Sequence, residues 1–301
     1  MAPLVPLFRK AFRRRDFSLE WLKKKYACEY QGIRGFSCVA FTESGQAVAS
    51  FGVLPWPIRF GDRTEVAAQL VDAATDRDHR RRGLFTRLGQ MARELSEAAG
   101  VSFLFAFPHP QGDSYPGFIR NLVYEHIDDL VEYRKTICTG LFERASLRAG
   151  TLRRVYEQKV QRTLNAYIPG DAALENSLLS EGFAATDRNR GFHAYKSFAG
   201  SRVLNLDGGR VWLKVRRGLL VGDLEALSEA DMDKTVEALE LLAARLGTHQ
   251  IIFQTSKGTR FSRFFEGRFQ TLPCLTVVYR NLHSRIPREK LRFTFGDLDN
   301  F

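Results

Sequence analysis

No stretch of this 301-residue sequence approaches the ~20 consecutive apolar residues of a membrane-spanning helix. The opening MAPLVPLFRKAFRRRDF lacks the basic head, apolar core and small-residue cleavage site of a secretory signal, so the expected location is cytoplasmic. Cysteine is scarce. Cys28, Cys38, Cys138 and Cys274 stand without C-x-x-C spacing in largely apolar company, which reads as reduced thiols, and no metal site is expected. There is no G-x-x-x-x-G-K-[ST] and no G-x-G-x-x-G, which disfavours P-loop and dinucleotide-binding proteins. Zinc-finger spacing, an RNP-like aromatic strand and heptads are missing too, so no dedicated nucleic-acid module accounts for the net charge of +11.

What is present is arginine, concentrated at Arg9 to Arg15, at Arg80 to Arg82 and in the run from Arg144 to Arg162. The last mixes Arg with Ala, Leu and Val at partly helical spacing and reads as a solvated linker helix. The middle cluster, HRRRGLFTRL, is set apart by its flanks. Upstream, Val66 to Thr75 is small, apolar and β-branched, and predicts a strand bounded by turn residues. Downstream, Leu84, Leu88, Met91, Ala92 and Leu95 recur at helical spacing until Gly100, and Val101 to Phe107 is an unbroken apolar run expected of a buried parallel strand. Gly83 therefore falls at a helix start. A glycine there lets backbone N–H groups face an anion at the positive end of the helix dipole.

Arg80-Arg81-Arg82-Gly83-Leu84-Phe85 resembles the [QR]-x-x-G-x-[GA] pyrophosphate loop of the GNAT superfamily of acyl-CoA-dependent acyltransferases, with Phe85 where that family has a small residue. The surroundings match: an N-terminal helical pattern, a hairpin from Phe36 to Arg59 turning at Glu43-Ser44-Gly45, then strand, loop, helix and strand. From about Asn165 the pattern begins again. Strands are predicted at Val203 to Leu206, Arg210 to Val215 and Leu219 to Leu224, then a helix through Met232, Val236, Leu239, Ala243 and Leu246, then a strand at His249 to Thr255. The expected fold is α/β (α+β), a GNAT-like mixed sheet flanked by helices, followed by a second, degenerate GNAT-like unit. The expected division is an acyl-CoA-binding domain at 1–140, a basic linker helix at 141–164 and an acceptor-binding domain at 165–301. In place of arginines the second unit carries Asp223, Glu225, Glu229, Asp231 and Asp233, which repel a pyrophosphate.

The resemblance implies an N-acetyltransferase that moves acetyl from acetyl-CoA to a primary amine, with an amino sugar or sugar nucleotide as the first expectation. It assigns Ala73, Ala74 and Thr75 to the pantetheine arm, and Arg80, Arg81, Arg82, Gly83, Leu84, Phe85 and Thr86 to the pyrophosphate. Asp72, the only carboxylate on the strand, is the candidate base, with a buried bracing role as the competing reading. Phe118 stands near the position of the usual tyrosine acid, so Tyr115 is the candidate acid, preferred over Tyr124. His109 is a candidate substrate ligand. The ending GDLDNF resembles two-unit bacterial acetyltransferases near sugar and surface-polysaccharide pathways and nominates Asp297 and Asp299 as acceptor ligands, a bracing role being equally open. Two alternatives remain: an aminoacyl-tRNA-dependent transferase and a non-catalytic CoA-binding module.

Overall fold

The structure, a computed structural model, describes residues 1–13, 17–137, 143, 150–167 and 173–301. The chain forms two compact units, Met1–Asp128 with Leu275–Leu291, and Asp129–Cys274 with Arg292–Phe301. Arg14, Arg15, Cys138 and most of the first half of the Arg144 to Arg162 run lie outside the described residues.

The first unit opens with two short helices, α1 (Leu4–Ala11) and α2 (Leu19–Lys25), the latter started by Ser18, whose side chain accepts the Trp21 N–H. Strands β1 (Phe36–Phe41), β2 (Ala47–Phe60) and β3 (Arg63–Thr75) form an antiparallel meander. Helix α3 (Leu84–Ala98) leads to β4 (Phe103–Ala106), which pairs parallel to β3. Leu88, Gly89 and Ala92 give α3 its buried stripe, while Met91 and Leu95, of the same predicted face, stay half exposed. A side chain at Gly89 would come within 2.6 Å of Leu122, so the glycine sets how closely α3 packs.

Strand β5 (Glu125–Thr136) then crosses into the second unit. There α4 (Gly150–Asn165) precedes the meander β6 (Arg202–Leu206), β7 (Gly209–Val215) and β8 (Leu219–Glu225). After it come α5 (Glu229–Leu246) and β9 (Gln250–Ser256), the latter parallel to β8 and antiparallel to β5. Strand β10 (Gln270–Asn281) returns to the first unit, where Val278 to Asn281 pair antiparallel with Ala106 to Phe103 of β4. Each unit is thus a mixed sheet flanked by helices, and each receives its fifth strand from the other half of the sequence. The units do not follow the split at 140 and 165. Nor is α4 a solvated linker, because Tyr156, Val160 and Leu164 are buried in the core of the second unit with Leu239, Leu242 and Phe265.

Strands β8 and β9 pair only from Leu219↔Ile251 to Val221↔Phe253. Beyond that point the segment 292–301 lies between them: Thr255 bridges Thr294, Ser256 N–H donates to the Phe293 carbonyl, and Phe301 covers Gly222, where a Cβ would sit 2.4 Å from its ring. The segment is held by buried cations. Arg188 donates to Asp297 Oδ1 at 2.7 Å, to Thr294 Oγ1 at 2.7 Å and to Asp223, and Lys196 donates to the Leu298 carbonyl at 2.5 Å.

Beside this segment His193 is 8% exposed, its ring edge-on to Trp212 with centroids 4.6 Å apart and its Nε2 2.8 Å from the Leu174 carbonyl. Burial pushes its pKa down from 6.5 to about 4, against the pull of that carbonyl. Because the folded value lies below the unfolded one, the unfolded chain takes up the proton first as pH falls. The contribution is whole above 6.5 and is lost progressively towards pH 4. Denaturant unfolding across that window is expected to show a loss of up to about 3 kcal/mol, flattened in His193→Gln. An equal slope in the variant would assign the loss to other groups.

Candidate functional site

The parallel pairing of β3 and β4 ends at Gln69↔Phe105, and β4 itself ends at Ala106, while β3 runs on to Thr75 against β2 alone. One backbone edge of β3 beyond Gln69 is therefore open, and Ala73, Ala74 and Thr75 lie along it. Within this stretch the β2–β3 register shifts between Ser50 and Gly52, and Asp72 takes a left-handed backbone, φ 49°.

Two residues of the α2 end hold this bulge. The Lys25 ammonium, 1% exposed, donates to both Asp72 oxygens at 2.8 Å, and the Tyr26 hydroxyl donates to Oδ2 at 2.9 Å. Gly52 makes this possible, since a Cβ there would lie 2.1 Å from the Tyr26 hydroxyl. The carboxylate singled out as a base is thus enclosed by an ammonium and a phenol.

At the strand end, Asp76 is buried, accepts from Lys10 Nζ at 2.7 and 2.8 Å and from the Asp78 N–H at 3.1 Å, and ties the last turn of α1 to the loop. The Lys10 hydrogen bond holds its carboxyl below the ordinary carboxylate range. After a single 3-10 turn, Arg77–His79, the chain passes through Arg81 at φ 62° and Gly83 at φ 72°, and α3 begins. Among the described residues no side chain caps α3, and nothing stands within 4 Å of where a Gly83 Cβ would be. The first intrahelical bond runs from Arg87 N–H to the Gly83 carbonyl, so the N–H groups of Leu84, Phe85 and Thr86 have no acceptor within the helix. Arg80, Arg81 and Arg82 are exposed around this start; Arg80 reaches Asp113 only at 3.5 Å, and Arg82 the Asp78 carbonyl at 3.4 Å.

Phe85 does not obstruct the loop. Its ring turns inward, 5.3 Å from Phe51 and 5.4 Å from Phe118, into room left by Gly117, where a Cβ would lie 2.6 Å from it. Phe118 is buried in that cluster with Tyr124. Among the described residues the buried Tyr124 hydroxyl has no hydrogen-bond partner, and desolvation pushes its pKa up, which marks it as a packing residue. Tyr115, in the short helix Ser114–Pro116, is half-buried with its ring edge-on to His126, and among the described residues nothing hydrogen-bonds its hydroxyl. His109 is exposed, and its Nδ1 accepts the Gln111 N–H at 3.2 Å.

The tail aspartates belong to the second unit. Asp297 is 0% exposed, accepts from Arg188, and receives the Thr294 N–H at 2.8 Å. That enclosure is a brace and presents no oxygen to solvent. Asp299 is half-buried in the same segment. Asp223, read from the sequence as part of an acidic helix start, is instead buried on β8 with Arg188 and Ser177. The start of α5 is closed by Ser228, which accepts the Asp231 N–H, and carries Glu229 and Asp231 in its first turn. Lys25, Tyr26 and Arg188 were not identified from the sequence, because their partners lie 46 or 47 positions away for the first two and 35 and 109 for the third. Among the described residues no cluster of His, Cys, Asp or Glu is arranged to hold a metal ion, and no helix is long and apolar enough to cross a membrane.

A parallel strand pair that parts beside an uncapped, arginine-flanked helix start leaves a basic, anion-accepting opening at this end of the sheet. Residues 3–127, under half of the chain, match the family described as Acetyltransferase (GNAT) domain. Solved structures agree in fold. A conserved Enterococcus faecalis V583 protein labelled "Probable N-Acyltransferase" superposes with TM-score 0.59 at 13% identity, covering 94% of this chain and 70% of that one. GCN5-related N-acetyltransferases from Kribbella flavida (TM-score 0.56, 13% identity, 93% and 69% covered) and Anabaena variabilis ATCC 29413 (0.58, 10%, 93% and 70%) are similar. No curated protein matches the sequence significantly.

Proposed function

We propose that this protein transfers the acetyl group of acetyl-CoA to a primary amine on a small acceptor of the amino-sugar or sugar-nucleotide kind. The observation that carries this reading is the open start of α3 at left-handed Gly83, directly downstream of the unpaired edge of β3. When bound there, the thioester supplies an activated acyl carbon: the amine nitrogen forms the new C–N bond, the C–S bond breaks, and the departing sulfur takes a proton. The chain's part is to hold and orient. Backbone groups of Ala73, Ala74 and Thr75 run beside the pantetheine arm, and the amides from Gly83 to Thr86, with Arg80, Arg81 and Arg82, grip the diphosphate. Tyr115 is read as the phenol that protonates the thiolate, and His109 as a ligand for the acceptor.

Asp72, in this reading, braces the bulge, since Lys25 and Tyr26 occupy its oxygens. The amine then loses its proton to water, a modest demand near neutral pH. The second unit is read as a degenerate copy of the same scaffold. It repeats the meander and the parallel step, but its helix start is capped and acidic, and the segment 292–301 fills the gap between its parallel strands. One acetyl-CoA per chain follows, and calorimetry finding two equivalent sites would refute it.

Asp72→Asn is expected to lower stability by about 2–3 kcal/mol by removing the carboxylate charge that meets the buried Lys25 ammonium, and to lower turnover equally at about pH 6.5 and about pH 9. A loss concentrated at the lower pH, with unchanged melting temperature, would make Asp72 the base instead. Tyr115→Phe should cost about 100-fold in kcat with acetyl-CoA affinity intact, and wild-type turnover would remove it from the site.

A further inference from the structure

Next to the anion loop, on the α1 side, lies a cleft of about 470 Å³ lined by Lys10, Ala11, Arg13, Thr75, Arg77 and Arg80. Among the described residues its charges do not cancel. The nearest carboxylates, Asp76 and Asp78, are both taken by Lys10, at 2.7 and 3.0 Å. Arg80 has Asp113 only at 3.5 Å, and Arg13 and Arg77 have no carboxylate partner among the described residues. The Lys10–Asp76 pair fastens the end of α1 to the end of β3, and the left-handed turn at Arg13, φ 51°, follows directly on that helix. Three guanidinium groups from two separate chain segments thus line one cleft. A guanidinium matches a phosphate through paired N–H donors, and like charges gathered without counter-charge are stabilised by an anion.

We propose that this cleft is a second phosphate site, beside the α3 start and sharing Arg80 with it, which takes a phosphomonoester. The proposal rests on the acyl-CoA reading and extends it. The phosphomonoester has two chemical sources, the 3′-phosphate of the donor and a phosphate carried by the amine acceptor.

The double variant Arg13→Ala/Arg77→Ala separates them. Both side chains are exposed, so its melting temperature should match wild type. If the donor is the source, wild-type protein binds CoA about ten-fold more tightly than dephospho-CoA in calorimetry, and the variant binds both alike. If the acceptor is the source, CoA and dephospho-CoA bind alike in both proteins, and glucosamine 6-phosphate shows a KM about ten-fold below that of glucosamine in wild type only. Discrimination absent from wild type, or retained unchanged by the variant, overturns the proposal. Failure of wild type to bind CoA at all would overturn the acyl-CoA reading instead. The cleft would then be read by titrating glucosamine 6-phosphate directly: binding lost in the variant supports the site, and equal binding or none overturns it.

Discussion

Gly83→Glu is expected to lower acetyl-CoA affinity about 100-fold while leaving the fold intact. Two separable effects add. Any side chain at φ 72° carries a left-handed strain of about 1 kcal/mol, and a carboxylate beside a diphosphate adds repulsion of about 1–2 kcal/mol. Nothing stands within 4 Å of the new Cβ, so the loss cannot be laid to collapse of the core. Gly83→Ala isolates the strain and should weaken binding only several-fold. Calorimetry with acetyl-CoA, with circular dichroism as the fold control, reads both. Unchanged affinity in the glutamate variant would move the diphosphate away from this helix start.

Asp297→Ala should have the largest effect on stability, a loss of about 3 kcal/mol or more. It removes one of the two carboxylates that hold fully buried Arg188, and with it the acceptor of the Thr294 N–H that closes the turn of the segment 292–301. Asp297→Asn, which keeps an acceptor but not the charge, should recover part of the loss. Acetyl-CoA affinity, measured where the fold persists, should not change. An acceptor ligand would behave in the opposite way, with raised acceptor KM at an unchanged melting temperature, so equilibrium unfolding and steady-state kinetics on the same variants decide between brace and ligand.

The parts of this molecule that were legible in its sequence are those fixed by near neighbours. The β1–β2 hairpin announces itself through alternating residues around Ser44-Gly45, α3 through its leucine spacing, and the anion loop through a glycine that only makes sense at positive φ. The strands of the second unit were legible for the same reason. What could not be read is whatever depends on distant partners. A lone aspartate on a strand looks like a catalytic base until Lys25 and Tyr26 are seen on it, and a terminal Gly-Asp-x-Asp looks like a ligand until Arg188 is found beneath it. Phe85 illustrates the same limit more gently: its bulk contradicts the loop pattern, and only the space above Gly117 explains why it is harmless.

The crossing of β5 and β10 has a consequence for how the chain is made. Strand β4 cannot find its antiparallel neighbour until residues 278–281 exist, although everything else in its sheet, from β1 to β3, is complete by residue 75. During synthesis the nascent first unit therefore displays a bare, apolar strand edge, Phe103-Leu104-Phe105-Ala106, for as long as the intervening residues take to emerge. Such an edge invites pairing with the wrong chain. Fragments that stop near residue 140 or 165 preserve that immature condition permanently, and their insolubility would report a missing strand rather than a missing activity.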